Sequence, residues 1–319
     1  MCSGARTSGR RRCVPLVEAT LRAPTLEDVD AAVAVINAEA RRLLGRDDVD
    51  PTTVRGWWTQ PPPFDLARDV VLAVDGTDTV VGYGDLGDAA SNGAVLWLDV
   101  RGDALEPLLA ELERRANARR SPDGVIRTVV AEGDARLRAL VEARGYARIR
   151  SSYRMTIDLA DQPLDPCWPA GASVRTAAGS RDDVLLHDLL ERAFADHWGF
   201  ASTPFSEWRH WLYEMGTADP SLWFVAELDA TPVGAAVCRP TEAGDPGLGW
   251  VAQLGVLPEA RGRGLGTALL VHALATLRDL GRPRAGLGVD AESTTGAVRL
   301  YERVGLRVVE RHDRWELRR

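Results

Sequence analysis

Residues 261–267 read Arg-Gly-Arg-Gly-Leu-Gly-Thr, three glycines and two arginines in seven positions. An apolar run over 250–257 precedes them, and an apolar-periodic stretch over 267–280 follows. A glycine-rich junction between a strand and a helix has a defined chemistry. The first backbone N–H groups of a helix lack partners within it and point beyond its N-terminus. Without side chains, Gly262, Gly264 and Gly266 let an anion approach the main chain closely. The helix dipole adds about 0.3–1 kcal/mol at the surface and up to about 2 when partly buried. Arg261 and Arg263 supply positive charge or forked contacts. The segment from Arg261 through Leu265 to Thr267 therefore predicts a diphosphate cradle.

Composition and spacing exclude two common diphosphate loops. A G-x-x-x-x-G-K-[ST] loop needs a lysine, and all 39 basic residues here are arginine. A G-x-G-x-x-G/A dinucleotide loop fails on spacing, because Gly262 and Gly264 lead to Thr267, while Gly264 and Gly266 lead to Leu269. What remains is R-x-x-G-x-G.

The residues downstream extend the pattern. Positions 285–290 alternate small and apolar residues as a one-face-packed strand does. Ser293, Thr294 and Thr295 offer N-caps to a helix whose Ala297, Leu300, Tyr301 and Val304 recur at i, i+3, i+4 and i+7. Gly305 supplies its C-cap, and Leu306-Arg307-Val308-Val309 begins another strand. With R-x-x-G-x-G at 261–266 and Y-x-x-x-G-L at 301–306, the chain resembles the GNAT acyltransferase superfamily. The resemblance spans 172–319 in the order strand, two helices, three strands, loop and helix, strand, helix, two strands.

That resemblance implies acetyl-CoA as donor, its diphosphate on the 261–267 loop. Leu254, Gly255 and Val256 would form the strand edge that pairs with pantetheine and offers an N–H to the carbonyl. Tyr301 would be the general acid, protonated at neutral pH because a phenol titrates near 10; it also closes the apolar stripe of its helix. Many family members carry a glutamate four residues ahead of the pantetheine segment, and Trp250 stands there. Candidate bases are therefore Glu227, Asp290 and His197, the last with an ordinary pKa near 6.5 but set between aromatics. Gln253 can position a water only. The family's second helix motif usually opens with asparagine, where this chain has Ser293.

The chain also repeats itself. Thr20-Leu21-Arg22 echoes Ser173-Val174-Arg175, and 71–82 echoes 224–234. Leu140-Val141-Glu142-Ala143-Arg144-Gly145 lies over Leu300-Tyr301-Glu302-Arg303-Val304-Gly305 at an offset of 160, with Val141 in the place of Tyr301. Where the first cradle belongs, Asp99, Asp103 and Glu106 surround Gly102 and would repel a diphosphate, so the first copy is expected to have lost coenzyme binding and to serve as a lid, a dimer surface or an acceptor wall. The expected fold is α/β (α+β), two tandem GNAT-like domains, each a mixed, mostly antiparallel sheet flanked by helices. The expected division is a disordered basic tail over 1–18, a degenerate copy over 19–160, a Pro- and Gly-rich linker over 161–171, and a coenzyme-binding copy over 172–319.

Composition bounds the remaining classes. A net charge of −7 argues against a nucleic-acid partner, and no apolar run approaches the ~18 residues of a membrane span. Cys2, Cys13, Cys167 and Cys238 form neither C-x-x-C nor a regular framework, which suits a reducing cytoplasm. No metal-ligand motif stands out, and the sequence is silent on oligomeric state. The acceptor segment, 194–215, holds Trp198, Phe200, Phe205, Trp208, Trp211 and Tyr213, a pocket for a ring-bearing amine or a buried helix face. Asp196, Glu207 and Glu214 could attract a cationic amine or be solvated surface. Two functions follow: acetyl transfer to a primary amine of a small molecule by direct attack, or a non-catalytic CoA-binding sensor or interaction module.

Overall fold

The computed structural model describes residues 19–88, 92–160, 162–214 and 218–318. The expected tail over 1–18, Asp161 of the linker and Met215 of the acceptor segment lie outside these residues. The first half runs β1 (Thr20–Arg22), α1 (Val29–Leu44), α2 (Pro51–Trp58), α3 (Leu66–Asp69), β2 (Val70–Val74), β3 (Val80–Asp88), β4 (Val95–Gly102), α4 (Leu105–Arg119), β5 (Val125–Ala131), α5 (Ala135–Ala143) and β6 (Ala147–Asp158). The second half repeats the order. Its elements are β7 (Ala172–Thr176), α6 (Asp183–Phe194), α7 (Phe205–Glu214), β8 (Trp223–Leu228), β9 (Thr231–Arg239), β10 (Leu248–Val256), α8 (Leu265–Asp279), β11 (Arg284–Asp290), α9 (Ala297–Val304) and β12 (Arg307–Leu317).

Local chemistry sets the boundaries. Leu265, Ala268, Leu269, Ala273, Leu274 and Leu277 form the buried stripe of α8, as a 3.6-residue period requires. Gly264, in the left-handed region at φ +89°, starts that helix two residues ahead of the expected Thr267. Gly305 ends α9 at φ +112°, its N–H donating to the carbonyls of Tyr301 and Glu302. The N-cap of α9 is Gly296 and not one of the hydroxyl residues; Ser293 instead bonds Thr295 in the preceding turn.

The two halves exchange their last strands. All twelve strands join one sheet in the order β1-β2-β3-β4-β5-β12-β6-β11-β10-β9-β8-β7. β6 leaves the first half and pairs antiparallel with β11 from Arg284↔Asp158 to Asp290↔Ser152. β12 returns to pair with β5, from His312↔Ala131 to Leu317↔Ile126. The sequence pattern predicts two closing strands in the second half. The structure has one, because β6 takes the place of the other.

Packing follows the exchange. Met155, Ile157 and Leu159 at the end of the first half belong to the second half's core, while Trp315 and Leu317 belong to the first half's. At about 1.5–3 kcal/mol per fully buried large apolar side chain, each exchanged strand is worth a large share of a domain's net stability. Helices cover both faces of the second half. A Cβ at Gly249 would meet Leu277 of α8, whereas one at Gly255 would meet Ala193 of α6 at 2.7 Å. Across the middle, α2 and α7 touch, His210 of α7 bonding the Gly56 carbonyl at 2.9 Å.

Candidate active site

The 261–267 loop has the geometry an anion needs. Gly262 and Gly264 both lie in the left-handed region, at φ +76° and +89°, and a Cβ at either would meet nothing within 4 Å. Their glycine identity is thus required by backbone conformation and by the open space in front of them. The N–H groups of Gly262, Arg263, Gly264, Leu265, Gly266 and Thr267 make no hydrogen bond within the described chain, the first local pairing being Ala268 to the Gly264 carbonyl. Six consecutive main-chain donors therefore converge at the start of a 15-residue helix.

Arg261 has a different task from the diffuse charge expected of it. Its guanidinium donates to the Val256 carbonyl at 3.0 Å, to the Ala193 carbonyl at 2.7 Å and to the Asp196 carboxylate. It clamps the loop to the end of α6. Arg263 is exposed and makes no hydrogen bond or ion pair among the described residues, so it remains the uncommitted charge of the loop. Asp196, which the sequence left as either a lure for a cationic amine or solvated surface, is committed to the clamp, and Arg261 holds its carboxyl below the usual range.

Beside the loop the sheet opens. β10 and β11 are parallel partners only from Leu248↔Arg284 to Val251↔Leu287. A bulge between Val251 and Gln253 then turns β10 away while β11 stays paired with β6 to Asp290. The Leu257 N–H donates to Val233 of β9, so by strand alternation Leu254 and Val256 direct their main-chain groups to the open side. Arg261 occupies the Val256 carbonyl, which leaves the two N–H groups and the Leu254 carbonyl facing the gap. Gly255 brings α6 close, since any side chain there would collide with Ala193.

Tyr301 sits on α9, which packs beside the loop: Leu300 Cδ1 lies 3.7 Å from a Cβ built on Gly266. The ring is buried, its hydroxyl makes no intrachain hydrogen bond among the described residues, and burial pushes its pKa up to about 12.

The sequence-derived bases separate. Glu227 lies on β8, two strands from the open edge, in an ion pair with Arg175 at 3.0 Å. His197 packs on Phe194, ring centroids 4.8 Å apart, with its buried Nδ1 making no hydrogen bond but lying 3.5 Å from the Asp196 carboxylate. Asp290 is held by Arg150 at 2.7 Å, which lowers its pKa against the cost of burial and makes it a poor base. Trp250 lies against Gly286 and Gly288 of β11, and the Arg154 guanidinium stacks on its indole at 4.4 Å. Ser293 stays in its turn, where it caps nothing beyond Thr295.

A cavity of about 770 Å³ lies between the halves and reaches Ala252 and Gln253 at the β10 bulge. Of the six aromatics in the expected acceptor segment, Trp208 and Trp211 line it; Trp208 bonds Gln253 at 3.1 Å. Trp198 stacks instead on Arg127, Arg150 and Arg314, and Tyr213 bonds Asp183. Glu207 is the one acid of the second half on the cavity wall among the described residues, and burial raises its pKa. An acceptor wall was one of the three roles the sequence left to the first copy, but no pattern marked the residues of the opposite wall. Asp85, Asp99, Trp57 and Trp97 come from the first half, where alternation marks them as ordinary strand and helix residues.

The first half lacks the loop. β4 ends at Gly102 and α4 begins at Leu105, against 257–264 between β10 and α8. The Gly102 N–H donates to the buried Glu39 carboxylate, which places a negative side chain where an anion would lie. Val141, in the position of Tyr301, is fully buried.

The acetyltransferase (GNAT) family profile matches residues 184–306. Mycothiol acetyltransferase of Streptomyces griseus subsp. griseus is 32% identical over 296 residues, 88% of this chain and 91% of the relative. That of Geodermatophilus obscurus is 31% identical over 304 residues, 89% and 94%. That of Thermobispora bispora is 37% identical over 184 residues; there the chain spans only 60% of the relative's length, and 55% of its own. A GCN5-related N-acetyltransferase from Sphaerobacter thermophilus superposes with a TM-score of 0.76 at 25% identity, covering 94% of this chain and 95% of that one. A tandem GNAT protein from the clavulanic acid biosynthesis pathway shares the fold, with a TM-score of 0.70, 17% identity, and coverage of 94% and 98%. This chain belongs to the acetyltransferase (GNAT) family. Its tandem arrangement is similar to that of mycothiol synthase.

Proposed function

We propose that the second half transfers an acetyl group from acetyl-CoA to a primary amine of a small molecule, and that the first half binds no coenzyme. The observation that carries this reading is the run of six unpartnered N–H groups beside strands that part at Val251. The loop holds the diphosphate, the open edge of Leu254 and Val256 pairs with the pantetheine arm, and the amine enters from the cavity. The amine nitrogen attacks the thioester carbon, so a C–N bond forms and the C–S bond breaks. An edge N–H stabilises the oxygen's developing charge. Glu207 takes the amine proton; its raised pKa makes it a stronger base than an exposed carboxylate.

Tyr301 faces the departing sulfur. Against a thiol near 8.5, full proton transfer from a hydroxyl at about 12 is uphill by roughly 5 kcal/mol, so its contribution is a hydrogen bond to the thiolate. Tyr301→Phe should therefore lower kcat by roughly 10–100-fold, the value of a hydrogen bond to a charged group, with the KM for acetyl-CoA little changed. Unchanged turnover would remove Tyr301 from the chemistry. Glu207→Gln should lower kcat/KM for the amine by about 100-fold at pH 7, narrowing as pH rises and free amine becomes abundant. A constant deficit across pH would assign Glu207 a structural task.

A second reading is favoured by one observation. The Trp250–Arg154 stack occupies the site at which many family members carry a carboxylate, as a coenzyme-binding module without turnover would allow. Thiol release from acetyl-CoA across a panel of primary amines separates the two. Release above the hydrolysis background with any amine supports transfer; tight coenzyme binding with none supports the binding module.

A further inference from the structure

The inter-half cavity has two unlike ends. At one, supplied by the second half, Gln253 lies at the β10 bulge where acetyl transfer is placed, and Glu207 of α7 joins the lining. At the other, Asp85 of β3 and Asp99 of β4 are cross-strand neighbours on the floor supplied by the first half. Most acids of this floor are already matched. Asp69 holds Arg68 and Arg119, Asp99 takes both its bonds from Arg101 at 2.9 and 3.0 Å, and Asp88 accepts the Gly93 N–H with Arg119 at 3.9 Å. Asp85 is different: its one hydrogen bond is from the Tyr83 hydroxyl at 2.7 Å, to Oδ2, which leaves Oδ1 unpartnered on the cavity wall. Tryptophans 57, 97 and 211 line the same space. A carboxylate oxygen that faces an aromatic-walled cavity, with the nearest guanidinium, Arg101, bonded to Asp99 instead, is an acceptor that a cationic ligand can pair with.

We propose that the acceptor carries a second cationic group, remote from the amine that is acetylated, and that Asp85 of the first half holds it. The first half thus serves as the acceptor-recognition surface of a site whose chemistry lies in the second. This rests on the proposed transfer reading for the identity of the far end, while the cation site itself stands on the cavity alone. Burial and the neighbouring Asp99 push the Asp85 carboxyl up to about 7, with Tyr83 and Arg101 opposing and Asp69 adding to the rise. Asp88 and Arg119 on the same wall, and Glu207 and Arg239 across the cavity, complete the charged groups that face it. A bound cation favours the ionised form, so affinity should be highest above pH 7 and fall as Asp85 protonates below it.

The test is binding of 4-(aminomethyl)benzylamine against its neutral-ended counterpart 4-(hydroxymethyl)benzylamine, read from tryptophan fluorescence of the full chain without coenzyme. The diamine should bind at least tenfold more tightly at pH 8. That ratio should fall as the pH is lowered to 5.5, because burial and the neighbouring Asp99 favour protonation of Asp85 there. Asp85→Asn, which keeps the shape of the side chain, should bring the ratio to about one at pH 8. Equal binding of the two probes by the wild-type chain overturns the proposal, as does a ratio independent of pH. Because wild-type protein alone yields both outcomes, a poorly folding variant does not rescue the idea. Selective diamine binding without thiol release would sink acetyl transfer and leave the cation site standing.

Discussion

Gly264→Val should weaken acetyl-CoA binding by 100-fold or more while costing the fold little. The backbone at 264 lies at φ +89°, where a residue with a Cβ is strained by about 1–2 kcal/mol and a β-branched one by more. To escape, the loop must rotate, and the six N–H groups from Gly262 to Thr267 then no longer converge. Losing two hydrogen bonds to a diphosphate, at about 1.5–3 kcal/mol each, is a factor of roughly 10²–10⁴ in Kd. The new side chain also projects into the open space in front of the loop, where no protein atom lies within 4 Å. Stability is spared for the same reason. Isothermal titration with acetyl-CoA, paired with a thermal melt, measures both. A Kd within threefold of the parent, with the fold intact, would show that the diphosphate lies elsewhere.

Neither half should fold when expressed alone. Residues 162–319 without β6 would expose the edge of β11 along its length and strip Met155, Ile157 and Leu159 from the core, each 4% exposed or less. Residues 19–160 without β12 would lose Trp315 and Leu317 and the partner of β5. At about 1.5–3 kcal/mol per large side chain, the loss rivals the whole net stability of a domain, and an open apolar strand edge invites aggregation. Co-expressed halves should recover a cooperative melt and coenzyme binding. A soluble 162–319 fragment with a sharp transition and full acetyl-CoA affinity would contradict the exchanged strands.

The geometry of the glycine loop was legible because its requirements are local. Positive φ, free N–H groups and a following helix are properties of eight consecutive residues, and a glycine pattern writes them directly into the chain. The stripe of α9 and its Gly305 cap were legible for the same reason. The exchange of β6 and β12 was not. Alternating residues mark each as a strand, but β5 and β11 offer equivalent edges, and pattern alone does not say which edge a strand joins. Ser293 was misread as a helix cap because a hydroxyl can bond a nearby turn as readily as a helix N-terminus.

The base shows the same division. Glu227 follows an apolar run as a catalytic acid might, yet its strand lies two places from the open edge and Arg175 neutralises it. Glu207 and Asp85 carry no local mark; they matter because α7 and β3 bring them to one cavity from positions 122 residues apart (207 − 85). What the sequence determined by itself was the family, the glycine-rich loop at the head of α8 and the doubled architecture, each resting on contacts between near neighbours in the chain. Only the tertiary structure decided that the two copies share one sheet and which residues of the copy without a loop line the cavity between them. Those outcomes depend on which distant surfaces meet, and burial, strand pairing and charge compensation are settled only when they do.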